Sequence, residues 1–390
     1  MNSTISQVGD NLKRLRLSIA FFFGLAGLSF SSWAVRTPYI QEKLQLTKID
    51  WGFLLLCPVF SSFMATLMSS FLISRFGSHR ITPVAAYLVL IAISLIGFAP
   101  SVIFLAGAFI MFGLGMGLID ISMNDQAAAL EKLYQRSIMS SFHGIFSVGA
   151  MLGALFGGFV ARYHMIPGHH LLIVSLFLIV GVLFNQQHLL KNIDSLPVDE
   201  EEVKTPLFVV PKGKLWVLGF VAAAAVFVEG AMADWSALFL ENMKATESVA
   251  ALGLAFFTGT MALGRLFGDR WVDYIGRIKA IQLGGLCSAL GLLIALFSHS
   301  PVVAIIGFTF AGIGISIIFP CLLTLSDRVK PKGVTSSAAI ASVAMMGYVM
   351  MLFGPPMIGF LAHIVGLHLS FIALLVSSIA VALLVGHSKP

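Results

Sequence analysis

Long stretches without a charge alternate with short polar breaks along the whole chain. Apolar runs bounded by charges, Pro or Gly fall at residues 17–37, 51–74, 81–99, 102–124, 138–161, 169–187, 215–240, 249–268, 278–298, 302–325, 334–362 and 367–386. Each is close to the roughly 20 residues a helix needs to cross the hydrocarbon core of a bilayer. A lipid-embedded backbone must satisfy its own hydrogen bonds, which helices do, so the pattern predicts an all-α membrane protein with twelve transmembrane helices. The first run is longer than the roughly 7–15 apolar residues of a signal-peptide core and follows Lys13, Arg14 and Arg16, which reads as an uncleaved first span.

The longest polar stretch, 188–214, holds Pro197, Pro206, Pro211 and the acidic run Asp199-Glu200-Glu201-Glu202. It reads as a linker between an N-terminal six-helix half, 1–187, and a C-terminal six-helix half, 215–390. The halves also resemble each other. Ser74-Arg75-Phe76-Gly77 aligns with Asp273-Tyr274-Ile275-Gly276 at an offset of 199, Gly115 and Gly117 with Gly312 and Gly314 at 197, Gly149 with Gly347 at 198, and Pro100 with Pro301 at 201. A nearly constant offset implies duplication and two pseudo-symmetric halves.

Composition narrows the function. Of 390 residues, 58% are hydrophobic and 11% charged, against about 45–50% and about 25% in soluble domains. That excludes a soluble enzyme. The net charge of +6 comes with no basic run of five or more, so nucleic acid is not the expected partner. With both termini on the cytoplasmic side, 19 of the 24 Lys and Arg fall on that side, leaving Arg36, Lys43, Lys48, Arg162 and Lys244. The positive-inside rule then fixes cytoplasmic termini. Cys57, Cys287 and Cys321 each sit in an apolar run without metal or redox spacing. No G-x-x-x-x-G-K-[ST] occurs, so a gradient rather than ATP is the expected energy source and no cofactor is implied.

Twelve spans in two repeated halves, a central linker and short basic loops after spans 2 and 8 resemble the major facilitator superfamily. Its loop signature, Gly-x-x-x-Asp-Arg-x-Gly-Arg-Arg, is matched by Ser74-Arg75-Phe76-Gly77-Ser78-His79-Arg80, with Ser in the acidic position, and by Asp273-Tyr274-Ile275-Gly276-Arg277. The resemblance implies that Arg75, Gly77, Arg80, Asp273, Gly276 and Arg277 form conformational latches. Gly115-Met116-Gly117-Leu118-Ile119-Asp120 with Asn124, and Glu229-Gly230-Ala231-Met232-Ala233-Asp234-Trp235-Ser236, are similar to the fucose-permease-like branch and its bacterial inner-membrane members. In that branch the span-4 acid is implicated in proton coupling, which implies that role for Asp120. The branch also uses a span-1 Asp four residues before a Pro, and here that position is Ala34. The family pattern further implies a monomer in a bacterial cytoplasmic membrane.

Charges inside spans are the strongest chemical signal, because an ionised group at mid-bilayer costs at least about 2.5–3.5 kcal/mol. Asp120 fits either a helix-end carboxylate snorkelling to the interface or a buried acid that loads and releases a proton. Glu229 lies too deep for snorkelling and is either packing glue or a functional carboxylate. Asp234 is five residues on, about 140° around an ideal helix, so the two share a cavity only if the turn at Gly230 loosens. Asp234, nearer the outer surface and beside Trp235, fits interfacial solvation as well as function, and Asp234, Trp235, Asn124 and Ser147 are candidate solute-binding residues. Ser140, His143 and Ser147 form a polar stripe in span 5, with His143 a candidate titrating partner of Asp120. Ser29, Trp33 and Arg36 form another in span 1, suited to sugar stacking and anion contact, although Arg36 sits close enough to the outer end to snorkel. In the second half Tyr348 is the main polar candidate. The glycine sets Gly113/Gly115/Gly117 and Gly149/Gly153/Gly157 read as helix-packing surfaces. His164, His169 and His170 lack regular ligand spacing, so no metal is expected.

The resulting expectation is a secondary active transporter that moves a small polar solute, a sugar or related metabolite, by alternating access, with proton symport as the leading mode. Proton, solute and lipid are its expected partners. Proton-coupled export and a transport-inactive sensor that keeps the fold are the rival readings.

Overall fold

The computed structural model describes residues 2–134, 138–191, 210–332, 334 and 336–388. The middle of the linker expected at 188–214, with Arg136, Lys204 and Lys389 of the charge count, lies outside them. Among the described residues, twelve helical segments are long and apolar enough to cross a membrane. The first half comprises α1 (Asn2–Ala34), α2 (Thr37–Lys43), α3 (Lys48–Leu54), α4 (Leu56–Phe76), α5 (Ser78–Phe98), α6 (Val102–Tyr134), α7 (Met139–Arg162) and α8 (Pro167–Asn185). The second comprises α9 (Leu215–Asn242), α10 (Glu247–Ile275), α11 (Arg277–Phe297), α12 (Pro301–Ile315), α13 (Ile318–Val329), α14 (Ser336–Val365), α15 (Leu367–Ser370) and α16 (Ile372–Leu384).

Three helix breaks have one cause. Proline lacks an N–H and its ring collides with the carbonyl four residues earlier. Helix α1 stops at Ala34, four before Pro38; α3 stops at Leu54, four before Pro58; and α12 gives way at Ser316, four before Pro320. Span 4 runs on to Tyr134 rather than ending near 124, because Gln126-Ala127-Ala128-Ala129-Leu130-Glu131-Lys132-Leu133 are strong helix formers. Glu131 then accepts the N–H groups of Ile138 and Met139 at 2.6 and 2.8 Å, satisfying donors where α7 begins.

The chain forms two compact units, Met1–Arg36 with Cys57–Val198, and Thr37–Leu56 with Asp199–Pro390. Residues 37–56, which belong to the first half by sequence, therefore pack within the second unit. Gly52 explains the fit of α3 against α14. A Cβ there would stand 3.1 Å from Cα of Gly359 and 3.2 Å from the Pro355 carbonyl oxygen, so backbone meets backbone. Thr47 and Asp50 close a capping box at the start of α3, and Trp51 is fully buried behind it.

Inside each unit, glycines set the helix contacts. A Cβ at Gly113 would strike the Pro58 carbonyl on α4, and one at Gly312 would strike the Phe257 carbonyl on α10. Gly115 meets Val89 on α5 as Gly314 meets Ser288 on α11, and Gly117 meets Ala65 as Ser316 meets Gly264. Every partner lies 199 residues from its counterpart, the offset that also relates Gly77 to Gly276. The alignment of Gly115 with Gly312 at 197 is thus corrected by two residues. The true register pairs Gly113 with Gly312 and Gly115 with Gly314. Gly77 (φ 79°, ψ 144°) and Gly276 (φ 83°, ψ 150°) share one left-handed backbone conformation at the start of α5 and α11, a geometry that a Cβ opposes. Gly149 and Gly153 would collide with the Gly24 and Leu28 carbonyls of α1, so this set also packs helices.

Candidate functional site

Helix α9 is unbroken from Leu215 to Asn242, so the turn at Gly230 does not loosen. It does not need to. From Val226 to Leu240 the partly open positions are Val226, Glu229, Gly230, Ala233 and Asp234. At 100° per residue they make one stripe about 140° wide, with Glu229 on one edge and Asp234 on the other. A Cβ built on Gly230, between the two acids, meets nothing within 4 Å. Two carboxylates facing hydrocarbon would be prohibitively costly, which makes this stripe the candidate solute-facing surface of α9.

Glu229 is not alone. Its Oε1 accepts a hydrogen bond from Nη2 of Arg265 at 2.9 Å, and the two side chains are 34% and 17% exposed. Glu229 sits 13 residues before the end of α9 and Arg265 18 residues after the start of α10, rises of about 20 and about 27 Å from the shared connection. Helical side chains lean toward their own N-terminus, which carries the long Arg265 side chain back across that offset. The charge count had treated Arg265 as a loop residue. It lies inside the span Glu247–Gly268, within the helix rather than in a loop. The missed signal was a cation inside an apolar run of a helix, which calls for a partner at the same depth.

Asp234 has no hydrogen-bond or ion-pair partner among the described residues, although it is only partly open. Trp235 beside it is fully buried, so it offers no face to a solute, and Tyr348 on α14 is 59% exposed.

In the first unit, Asp120 is exposed on α6 and Asn124 is half-buried one turn on. Asn124 Nδ2 donates to the Asp120 carboxylate at 3.1 Å and to its backbone carbonyl at 2.8 Å. His143 is exposed on α7 with its ring edge-on to Phe23 at 5.4 Å, and Ser147 donates to the His143 carbonyl at 3.2 Å. The span-1 stripe turns inward. Trp33, 2% exposed, sits among Phe30, Phe109 and Phe112, leaving no face for a sugar. Arg36 is 1% exposed and donates to the Met165 carbonyl at 2.5 Å, so it neither snorkels nor reaches an open bay. His170 is buried while His169 packs edge-on to Phe98. Among the described residues no three His, Cys, Asp or Glu side chains gather as metal ligands. The expected latch residues Arg75, Arg80 and Asp273, at helix ends flanking Gly77 and Gly276, are exposed, and Arg277 is half-exposed. Arg75 lies over the Phe76 ring, and Asp273 and Arg277 make no ion pair among the described residues.

Twelve spanning helices, a packing repeat and charged groups held at membrane depth define an integral membrane carrier rather than an enzyme. The family model for the Major Facilitator Superfamily matches residues 17–338 and 215–388, and the chain belongs to that superfamily. It is 35% identical over 369 residues to an uncharacterised facilitator-type transporter of Yersinia pestis, covering 93% of this chain and 92% of that one. The glucose/mannose transporter GlcP of Bacillus subtilis is 24% identical over 347 residues, with 84% of each chain covered. Among solved structures, the nucleoside transporter NupG superposes with a TM-score of 0.74 at 11% identity over 96% of this chain and 98% of that one, a likeness of fold.

Proposed function

We propose that this protein is a secondary active transporter that carries a small polar solute, a sugar or related metabolite, by alternating access, coupled to protons in symport. The observation that carries the reading is the Glu229–Arg265 pair at 2.9 Å, because both side chains stay partly exposed, 34% and 17%, well inside the helices α9 and α10. An ion pair that served only packing would gain nothing from that exposure, and well-packed apolar residues would serve as well. The bay along α9 is the solute site. A polar solute can take the water-facing lone pairs of Glu229 and exchange for part of the contact with Arg265. Asp120 is the proton carrier, oriented by Asn124, with His143 and Glu229 as further candidates on the proton route. The glucose/mannose specificity of GlcP is compatible with a hydroxylated solute and does not set it. The protein works as a monomer in the bacterial inner membrane with both termini cytoplasmic, and the loops at Gly77 and Gly276 latch its states.

The test is uptake into sealed vesicles carrying an imposed pH gradient, with a panel of labelled hexoses, amino-hexoses and nucleosides. Accumulation of a panel member that collapses with a protonophore is expected. Equilibration without accumulation, or outward movement, would overturn symport, and no flux of any member would overturn the transport of such solutes.

A further inference from the structure

We infer that the bay on α9 selects a solute bearing a cationic amine, with Asp234 as its counter-ion. The inference rests on the reading of that bay as the solute site and adds the chemistry of what enters. The two acids on the stripe are not equivalent. Glu229 is paired with Arg265, whereas Asp234 has no partner among the described residues. An unbalanced carboxylate at that depth is costly unless something positive visits it. Between the two acids the space in front of Gly230 is open. Asp234 lies one turn from Gly230, about 6 Å along the same face. On the Glu229 edge, two turns further on, Ser236 Oγ is fully buried without a partner among the described residues. A neutral sugar could use Glu229 and Arg265 through its hydroxyls but would leave Asp234 to water alone. A hydroxylated primary amine, carried as its ammonium form, completes both ends: charge-assisted N–H bonds to Asp234, and hydroxyl contacts to the ion pair. The amino-sugar class has this arrangement of groups.

The charge preference of the bay can be read without knowing the solute. Cys57, Cys287 and Cys321 are changed to Ser and Gly230→Cys is introduced, a position where the new side chain meets no neighbour. Its modification by a trimethylammonium-ethyl methanethiosulfonate is compared with that by the sulfonatoethyl analogue, each normalised to free cysteine in solution. A cationic preference of at least about tenfold is expected from one unbalanced charge about 6 Å away. It should vanish in Asp234→Asn and persist in Asp234→Glu. Glucosamine should slow the labelling more than glucose or N-acetylglucosamine does at equal concentration. Equal normalised rates, a preference unchanged by Asp234→Asn, or equal protection by the three sugars would overturn the amine assignment while leaving the bay as a solute site. No labelling at all of Gly230→Cys, nor of Ala233→Cys on the same stripe, would show that the bay is dry and would remove the proposed solute site as well.

Discussion

The two units use one packing scheme and two different charge schemes. Pro58–Gly113, Val89–Gly115 and Ala65–Gly117 recur as Phe257–Gly312, Ser288–Gly314 and Gly264–Ser316. The contact of Gly149 with Gly24 recurs, 198 residues on, as that of Gly347 with Ala222, and the same step sets Arg36 opposite Asp234. These two positions have opposite fates. Arg36 is buried and tied to the Met165 carbonyl, while Asp234 stands on an open stripe. Asp120 and Glu229 likewise have no acidic counterpart in the other unit, since Phe319 and Ser31 or Phe30 fill those places. The backbone contacts that hold the helices together tolerate only small groups, and so both copies keep them. The charges lie outside those backbone contacts, and there the copies differ.

The largest effects should come from breaking the charge scheme. Glu229→Gln and Arg265→Met should each cut uptake more than about tenfold, because each breaks the 2.9 Å ion pair beside the α9 stripe. Each single change should also cost about 1–3 kcal/mol, less than a fully buried pair because both side chains touch water. The double variant should regain much of the stability without the transport. Thermal unfolding together with uptake checks this, and stability losses that simply add would mean that the pair does not act as a unit.

Breaking the packing scheme should affect stability to a similar degree, with less effect on transport, and should do so equally in both units. Gly115→Val and Gly314→Val should each lose about 1–3 kcal/mol by overpacking, read as matching drops in unfolding temperature. A clear loss for only one of them would show that the 199-residue register is not shared. Smaller again, Gly77→Ala and Gly276→Ala should each cost about 1–2 kcal/mol for forcing a Cβ into positive φ, with similar unfolding shifts. The smallest expected effect lies in the docked segment 37–56. Thr47→Ala removes the capping box of α3 and should cost about 1 kcal/mol, detectable as faster proteolysis near residue 47.

Much of the fold was legible in the sequence because lipid imposes a simple code: apolar runs of spanning length, closed by charges and prolines. The breaks at Ala34, Leu54 and Ser316 also follow from local chemistry once the prolines are noted. The repeat was visible, but its register was off by two at Gly115 because a run of alternate glycines looks the same when shifted by two; only the neighbours each one touches fix it. Asp120, Glu229 and Asp234 stood out as charges in apolar runs. Arg265 did not, because a cation near the end of a run was grouped with the loops, and only the lean of its side chain brings it to Glu229. Trp33 and Trp235 looked like solute-facing aromatics, yet helical spacing does not say whether a stripe faces a bay or a core. Nor could spacing show that residues 37–56 pack with the second unit, since that depends on Gly52 meeting Gly359 across 307 positions of chain.

The central claim is that the two units divide the work, with Asp120 moving protons and the α9 bay holding solute. The most direct test measures pH-driven accumulation and solute counterflow in the same vesicles for Asp120→Asn and Glu229→Gln, using the panel member that wild type accumulates. Asp120→Asn should lose accumulation and keep counterflow, which needs no net proton movement, while Glu229→Gln should weaken both at every pH. Wild-type accumulation by Asp120→Asn, or unaltered counterflow in Glu229→Gln, would contradict that division.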